Sequence, residues 1–226
     1  MANLIPIDTL KKFSLFQDFK EEDLARIQKL LHYRAVEKDE IILLKGELSD
    51  QLIFVEKGWF KSEKTSKEGR QQTLRFIGPK EVINEYSVFS EEPNAATIIA
   101  LEKADIYYLN KSDVEVLLDQ SSSFARAVIV NLAKRIQILL NHVENLSLYS
   151  VEQRLARYLL DEAKDGIVRR QTWKTQAEIA AHLGTVVDVV NRILQKFERQ
   201  GLISISRKLI KILDSDRLKA ITEKFE

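Results

Sequence analysis

Residues 175–203 read TQAEIAAHLGTVVDVVNRILQKFERQGLI, and this stretch decides which kind of domain ends the 226-residue chain. Thr175, followed three positions later by Glu178, forms a capping-box pattern, so a helix is predicted to begin there. Gly184 is expected to end it, and a tight turn leads to a second helix from about Val187 to Gly201. Apolar spacing predicts a buried face on each helix, made by Ile179, Ala180 and Leu183 in the first and by Val190, Ile193, Leu194 and Phe197 in the second.

A β-hairpin is predicted directly after the second helix. Residues 202–206 and 209–213 are two alternating apolar runs around Arg207-Lys208, which indicates two strands joined by a cationic tip. Two short helices with a glycine turn, followed by a hairpin, are typical of a winged helix-turn-helix, whose second helix can enter a DNA major groove. The alternative is a helical hairpin with a solvated polar face.

The polar side chains of this region predict contacts with DNA. Asp188 can accept a hydrogen bond from cytosine, Arg192 can bond guanine bidentately, and Val187 offers a thymine methyl only an apolar contact. Hydroxyl, amide and cationic side chains at the first helix start and the hairpin tip suit phosphates. The predicted DNA-binding residues are Thr175, Gln176, Val186, Val187, Asp188, Asn191, Arg192, Lys196, Arg199 and Lys208.

The amino-acid composition limits which cofactors, partners and cellular locations are expected. The absence of cysteine excludes disulfides, thiolate-bound zinc and a cysteine-held iron–sulfur cluster. A net charge of only +1 means that the cations for DNA must gather on one face. The N-terminus lacks a signal-peptide pattern, and no run approaches the ~18 apolar residues of a membrane-spanning helix. A cytoplasmic location without a membrane partner is therefore expected.

Residues 32–109 consist of short β-type runs, after two helical segments at 10–16 and 20–31. Turn signals such as Lys57-Gly58 and Gly78-Pro79 separate the runs, a pattern typical of a jelly-roll or barrel. The predicted strands cover 35–36, 40–44, 51–56, 59–65, 71–77, 95–101 and 105–109. A β-barrel metalloenzyme is disfavoured and no metal site is predicted, because the three histidines, His32, His142 and His182, are scattered along the chain.

A single long helix is predicted from residue 124 to 148. β-Branched residues recur every seven positions and a leucine follows each of them by three, the pattern of a parallel two-stranded coiled coil. The predicted dimer interface consists of Ile129, Leu132, Ile136, Leu139, Val143 and Leu146. Ala133, Ile138 and Leu140 widen this stripe, so packing of the helix against its own domain is the alternative.

A β-roll, a long dimerising helix and a winged helix-turn-helix in this order resemble the Crp/Fnr family of bacterial transcription factors, over essentially the whole chain. The resemblance implies an α+β fold with a β-roll sensor domain at 1–121, a dimerisation helix and hinge at 122–149, and a DNA-binding domain at 150–226. It also implies a regulator rather than an enzyme, acting as a homodimer on a palindromic operator in double-stranded DNA, with RNA polymerase as a further partner.

The chain departs from the cyclic-nucleotide-binding members at the phosphate site. Those members carry a Gly-Glu pair and, some ten residues on, an Arg followed by Ser or Thr. Here Asn84 replaces the Gly, only Glu85 is retained, and Ala95-Ala96 replace the Arg and its neighbour. Cyclic AMP is therefore disfavoured, since its phosphate would lack a charged hydrogen-bond partner.

The long helix departs as well. Those members use Thr and Ser to reach the adenine, where this chain has Leu139 and Leu140. His142 and His32 are the imidazoles that could bind a haem iron outside the helix-turn-helix. Haem is disfavoured because a lone histidine on a dimer helix is more often a solvated or packing residue. The effector pocket is expected to be formed by Asn84, Glu85, Tyr86, Ala95, Ala96, Leu139 and Leu140. For the first three residues, a structural role is the favoured alternative, with Glu85 accepting backbone hydrogen bonds that hold the loop. Three alternatives stay open: a ligand other than cyclic AMP, an effector-independent regulator, or a β-roll ligand-binding or enzyme module with a helical interaction tail.

Overall fold

The computed structural model describes residues 4–69, 71–169 and 171–223, and these divide into two compact units. The first unit comprises residues 4–69 and 74–138, and the second comprises residues 71–73 and 139–223. Each unit has its own apolar core.

The first unit is built on two antiparallel four-stranded sheets. Successive side chains of a strand face opposite sides of its sheet, and the strand Gln51–Lys57 buries residues on both sides. The strand orders are β1-β8-β3-β6 and β2-β7-β4-β5. The strands are β1 (His32–Val36), β2 (Ile41–Leu43), β3 (Gln51–Lys57), β4 (Phe60–Thr65), β5 (Gln71–Ile77), β6 (Val82–Ile83), β7 (Thr97–Ala100) and β8 (Ala104–Asn110).

Helices cover the outer side of one sheet. A cluster of aromatic rings forms this part of the core, with Phe16 stacked on Phe54 at 5.1 Å between ring centroids and Phe13 edge-on to Phe54 at 5.5 Å. A second cluster, which includes Val55, Phe60 and Ile106, lies between the strands. The helices of this part are α1 (Ile7–Leu10), α2 (Glu21–Leu30), α3 (Glu85–Ser90) and α4 (Lys111–Gln120).

Helix α5 (Ser122–Leu148) is one continuous helix of 27 residues. Phe124 and Val128, near its start, are buried in the first core, and Leu132 packs against the same core while remaining partly exposed. Beyond this point most of its apolar side chains are exposed. The fully buried apolar side chains of α5 thus lie in its first turns.

The second unit is a small helical domain with a three-stranded sheet in the order β10-β11-β9. A core that includes Leu159, Phe197 and Leu218 is shared by its helices and strands. Its elements are α6 (Val151–Glu162), β9 (Ile167–Arg169), α7 (Gln176–His182), α8 (Val187–Arg199), β10 (Ile203–Ile205), β11 (Leu209–Ile212) and α9 (Ser215–Thr222).

The predicted fold class is confirmed: the fold is α+β, with a β-roll, a long helix and a winged helix-turn-helix. The seven strands predicted in the β-roll are all present, and the last residue of each lies within one residue of the predicted end. The predictions omitted the short strands β6 and β9 and the helices α3, α4, α6 and α9. The first helical segment was placed too late, since α1 ends at Leu10.

Candidate nucleic-acid interface

Helix α7 begins as predicted, with Thr175 as its N-cap. The Thr175 Oγ1 accepts the Glu178 backbone N–H at 3.2 Å, which satisfies one of the unpaired donors of the first turn. The O–H of Thr175 keeps its own proton to donate, because a hydroxyl both donates and accepts. Thr175 is exposed and Gln176 is half-buried at the first helical position. Both side chains stay predicted phosphate contacts.

The turn between α7 and α8 depends on Gly184, which has a φ of 67°. This left-handed conformation is open to glycine at little cost, whereas a side chain would be strained. A Cβ at this position would also lie 3.1 Å from the Leu146 Cδ2. The Thr185 N–H closes the turn by donating to the Ala180 carbonyl at 2.9 Å.

Helix α8 separates an apolar face from a polar face. The predicted inward residues, Val190, Ile193, Leu194 and Phe197, are all buried. The opposite face exposes Asp188, Arg192, Gln195 and Arg199, which follow one another at spacings of three and four residues. One surface of α8 is therefore polar and available to a partner.

Arg192 and Asp188 lie side by side on this exposed surface. Across residues 4–69, 71–169 and 171–223, neither side chain has an ion pair or hydrogen bond. Arg199, one turn beyond Gln195, donates its Nε–H to the Gln195 carbonyl at 3.3 Å. Arg192 thus retains its whole set of guanidinium donors for a ligand.

Lys196, a predicted DNA contact, forms an ion pair within the domain. Its Nζ donates to both carboxylate oxygens of Glu152 on α6, at 2.8 and 2.7 Å, so its charge is already neutralised within the domain. The pair lies in an open groove of about 500 Å³ between α6 and α8, which Arg192 also lines. Lys196 therefore positions α8 against α6 and is not an unpaired cation for DNA.

The two valines at the start of α8, both predicted to contact DNA, differ in exposure. Val187 is partly buried and packs against the core, whereas Val186, the N-cap residue, is 62% exposed. An apolar contact with a base would therefore come from Val186. Asn191 is half-buried at the edge of the polar surface.

The predicted wing is present, with its cationic tip exposed. Strands β10 and β11 pair antiparallel, and Ser206 closes the turn because its backbone N–H and hydroxyl both donate to the Leu209 carbonyl, at 2.9 and 3.1 Å. Arg207 and Lys208 project from this turn and are exposed. Strand β9 pairs with the other edge of β11, so the wing is one hairpin of a three-stranded sheet.

The predicted pocket residues of the β-roll are held mainly by internal bonds. The Asn84 side-chain amide donates to the Ser49 hydroxyl at 3.1 Å and to the Gln51 carbonyl at 2.9 Å. Asn84 also precedes α3 with a φ of 76°, a left-handed conformation that Asn tolerates. Tyr86 is 55% exposed, Ala95 is exposed and Ala96 is half-buried, and their place in an effector pocket stays a prediction.

Glu85 anchors α3 to the long helix. Its Oε1 accepts hydrogen bonds from the Asn131 amide at 2.8 Å and from the Arg135 Nη2 at 3.2 Å, while the same Nη2 donates to the Val82 carbonyl at 2.6 Å. Burial raises the pKa of Glu85 to about 7, which opposes the stabilising effect of these donors. Sequence reasoning missed Asn131 and Arg135, because neither belongs to the heptad pattern.

The predicted dimer residues fall into two groups. Ile129, Ile136, Leu139 and Val143 are between 54% and 66% exposed along α5. Leu132 instead packs partly against its own core, and Leu146, 37% exposed, lies beside Gly184. Leu140, named in the argument for packing against the same domain, is 58% exposed. The apolar surface free for a partner thus centres on four of the six predicted residues.

The structure gives few options for a metal. Among the residues that it describes, no group of three or more His, Asp or Glu side chains could hold an ion. His32 stacks on Tyr108, and His142 lies 5.7 Å from His182 between ring centroids. No described helix is long and apolar enough to cross a membrane.

Comparison with known proteins agrees with this architecture. A family profile for the cyclic nucleotide-binding domain matches residues 33–121, and a profile for the Crp-like helix-turn-helix domain matches residues 153–221. The chain is 24% identical over 217 residues to the CRP-like cAMP-activated global transcriptional regulator of Mycobacterium tuberculosis, covering 93% of this chain and 97% of that protein. It is 27% identical over 207 residues to the probable transcriptional regulator flp of Lacticaseibacillus casei, covering 89% and 92%.

Solved structures share the fold. FixK2 from Bradyrhizobium japonicum superposes with a TM-score of 0.75 at 20% identity, covering 87% of this chain and 99% of that one. A putative regulator of the Crp/Fnr family from Eubacterium rectale gives a TM-score of 0.72 at 24% identity, covering 95% and 100%. With both domain types matched in the same order along the sequence, the chain belongs to the Crp/Fnr family of DNA-binding transcriptional regulators.

Proposed function

We propose that the chain acts as a homodimer that places two copies of α8 in successive major grooves of a palindromic operator. The observation that carries this proposal is the exposed surface of α8, where Arg192 and Asp188 have no partner among the described residues while the opposite face is buried. A rigid helix with unengaged polar side chains suits the edges of bases.

The side chains have different roles in this proposal. Arg192 donates two hydrogen bonds to guanine, and Asp188, one turn earlier, accepts from cytosine. Val186, the exposed valine, touches a thymine methyl. Lys208 at the wing tip contacts phosphate, which strengthens binding to any sequence. The Glu152–Lys196 ion pair fixes the position of α8.

Self-association is supported by the exposed apolar stripe of α5. Ile129, Ile136, Leu139 and Val143 are more than half exposed and recur in the spacing of a two-stranded coiled coil. Burying such a stripe against a second copy removes apolar surface from water. Two copies related by a twofold axis would then require two half-sites about one helical turn apart.

The regulator is controlled by a ligand other than cyclic AMP, or it acts without an effector. Ala95 and Ala96 provide no charged group for a phosphate, and Arg135 is already engaged with Glu85. A regulator governed by its own abundance is the second candidate, favoured by the internal bonds that hold Asn84 and Glu85. By family resemblance we also expect a contact with RNA polymerase.

The proposal is tested by selecting bound sequences from random DNA and measuring their affinity by gel shift. A palindrome should emerge, and inserting about five base pairs between its half-sites should abolish specific binding, because the two helices would then face opposite sides of the duplex. Weak binding that ignores sequence would instead favour an interaction or enzyme module with a helical tail.

A further inference from the structure

A small cavity lies where the end of α5 meets α6 and α7, and none of its lining residues belongs to α8. Its volume is about 80 Å³, and its lining comes from His142 and Leu146 on α5, Arg154 and Tyr158 on α6, and His182 on α7. About 30 Å³ of liquid contains one water molecule, so this cavity can hold several heavy atoms.

Three polar groups of this cavity are buried without a protein partner. They are the Tyr158 hydroxyl, the Arg154 Nε and the His142 Nε2, and no described residue bonds to any of them. Leaving a buried donor unsatisfied costs about 1–3 kcal/mol, so folded proteins rarely do so. Their presence around one cavity indicates an occupant that accepts hydrogen bonds.

The charges around the cavity favour an anion. Arg154 donates its Nη1–H to the Leu146 carbonyl at 3.2 Å, but no described carboxylate pairs with it, and burial lowers its pKa. Arg157, also in the lining, lies 3.6 Å from the centre of the Tyr149 ring and donates to Asn145 at 3.2 Å. Asp161 is the one carboxylate of the lining, and it lies at an exposed position.

We propose that this cavity binds a small oxyanion, of the size of phosphate, sulfate or a short carboxylate, between Arg154, Tyr158 and His142. The guanidinium and hydroxyl donate to the anion, and a neutral imidazole donates through whichever ring nitrogen carries its proton. A metal cation is disfavoured because Arg154 would repel it.

The site also couples to protonation. Burial lowers the pKa of His142, with Arg154 adding to the effect, and lowers the pKa of His182 to about 4, so both rings are neutral near pH 7. A bound anion favours the charged imidazolium, so affinity should rise as pH falls. The charged and titratable groups that face the two rings are Arg154, Arg157, Tyr158, Asp161, Glu162 and Lys174.

The location suggests a consequence for DNA binding, and this consequence alone rests on the proposed function. His182 is the last residue of α7 and directly precedes the turn into α8. An anion that bonds α5 to α6 beside His182 would therefore hold the start of the helix-turn-helix in one position relative to the end of the long helix. Binding of the anion itself is measured without DNA, so the two proposals fail separately.

Calorimetry on the full chain tests the site with phosphate, sulfate and acetate at constant ionic strength. At least one anion should bind saturably below about 10 mM. Arg154→Gln should weaken it about ten-fold or more and Tyr158→Phe about five-fold. Arg126→Gln, which removes an exposed charge from α5, is the matched control and should leave affinity unchanged.

Two further readouts keep the test decisive if one variant folds poorly. Sulfate, which does not titrate in this range, should bind more tightly at about pH 6 than at about pH 8, and the ring resonances of His142 and His182 should shift on saturation. The absence of saturable heat for all three anions would show that the cavity holds water only. Equal loss in Arg126→Gln, or no loss in Arg154→Gln and Tyr158→Phe, would also overturn the proposal.

Discussion

Replacing Leu139 with Asp is the sharpest test of how two copies associate. Leu139 is 54% exposed on α5, so the isolated protomer should tolerate Leu139→Asp with a stability change of roughly 0.5 kcal/mol or less. Full burial of a leucine contributes about 1.5–3 kcal/mol. Burying the exposed half in a dimer therefore contributes about 1 kcal/mol per copy, or about 2 kcal/mol for the symmetric pair.

The aspartate adds a larger penalty. Two like charges would face each other across the axis, and an unpaired buried charge costs about 3–5 kcal/mol. A total of about 5 kcal/mol or more raises the dimer Kd by more than about 10³-fold. Sedimentation velocity over a concentration series should show the variant as monomer at concentrations where the parent chain is dimer, and thermal unfolding of the monomer should change little.

Ile138 offers a matched control on the neighbouring position of the same helix. It is 49% exposed but lies outside the seven-residue repeat, so Ile138→Asp introduces the same charge away from the seam. This control should remain dimeric. An unchanged dimer in Leu139→Asp, or equal dissociation by both variants, would refute the coiled-coil interface.

Three other predictions concern DNA, ligand and pH. Arg192→Ala should cost about 1–3 kcal/mol of binding free energy on the selected operator and relax the preference at one base pair per half-site. Lys208→Ala should weaken binding to all sequences and reduce the slope of log affinity against log salt concentration by about one unit. Identical losses of affinity on operator and random DNA for both variants would contradict base reading by α8. Calorimetry with cyclic AMP should show no saturable heat up to about 1 mM, and a micromolar Kd would refute the argument from Ala95 and Ala96. The pKa of Glu85, raised to about 7 by burial, means that the folded state holds more protons than the unfolded state between about pH 4.5 and 7, so stability should fall as pH rises through this window. Glu85→Gln should remove up to about 3 kcal/mol of that dependence in denaturant titrations at both ends of the window, and parallel pH profiles would contradict the raised pKa.

The sequence predictions that succeeded were based on local sequence patterns. The cap at Thr175, the turn at Gly184 and the helical spacing of Val190, Ile193, Leu194 and Phe197 depend on residues at most four positions apart, and these determine α7 and α8 directly. Helix α6 could have been predicted in the same way, since Ser150 and Gln153 form a complete capping box in the structure.

The contacts that could not be predicted from the sequence join residues that are far apart along the chain. Glu152 and Lys196 are 44 positions apart, and Glu85 and Arg135 are 50 apart, so no periodicity within a helix reveals either pair. Val186 and Val187 are adjacent and chemically identical, and only the point at which α8 begins decides which one is exposed. The exposure of Tyr86 was hidden for a similar reason, because its direction depends on α3, which was not predicted.

The ion pair between Glu152 and Lys196 bears on how the regulator finds its operator among a chromosome's other sequences. A free lysine beside Arg192 and Arg199 would add attraction to every phosphate backbone, and competing sites would retain more of the protein. With its charge neutralised, Lys196 contributes to the shape of the domain and adds little to indiscriminate binding. Glu152→Gln should therefore tighten binding to random DNA more than to the operator, so that the regulator would lose selectivity while gaining affinity.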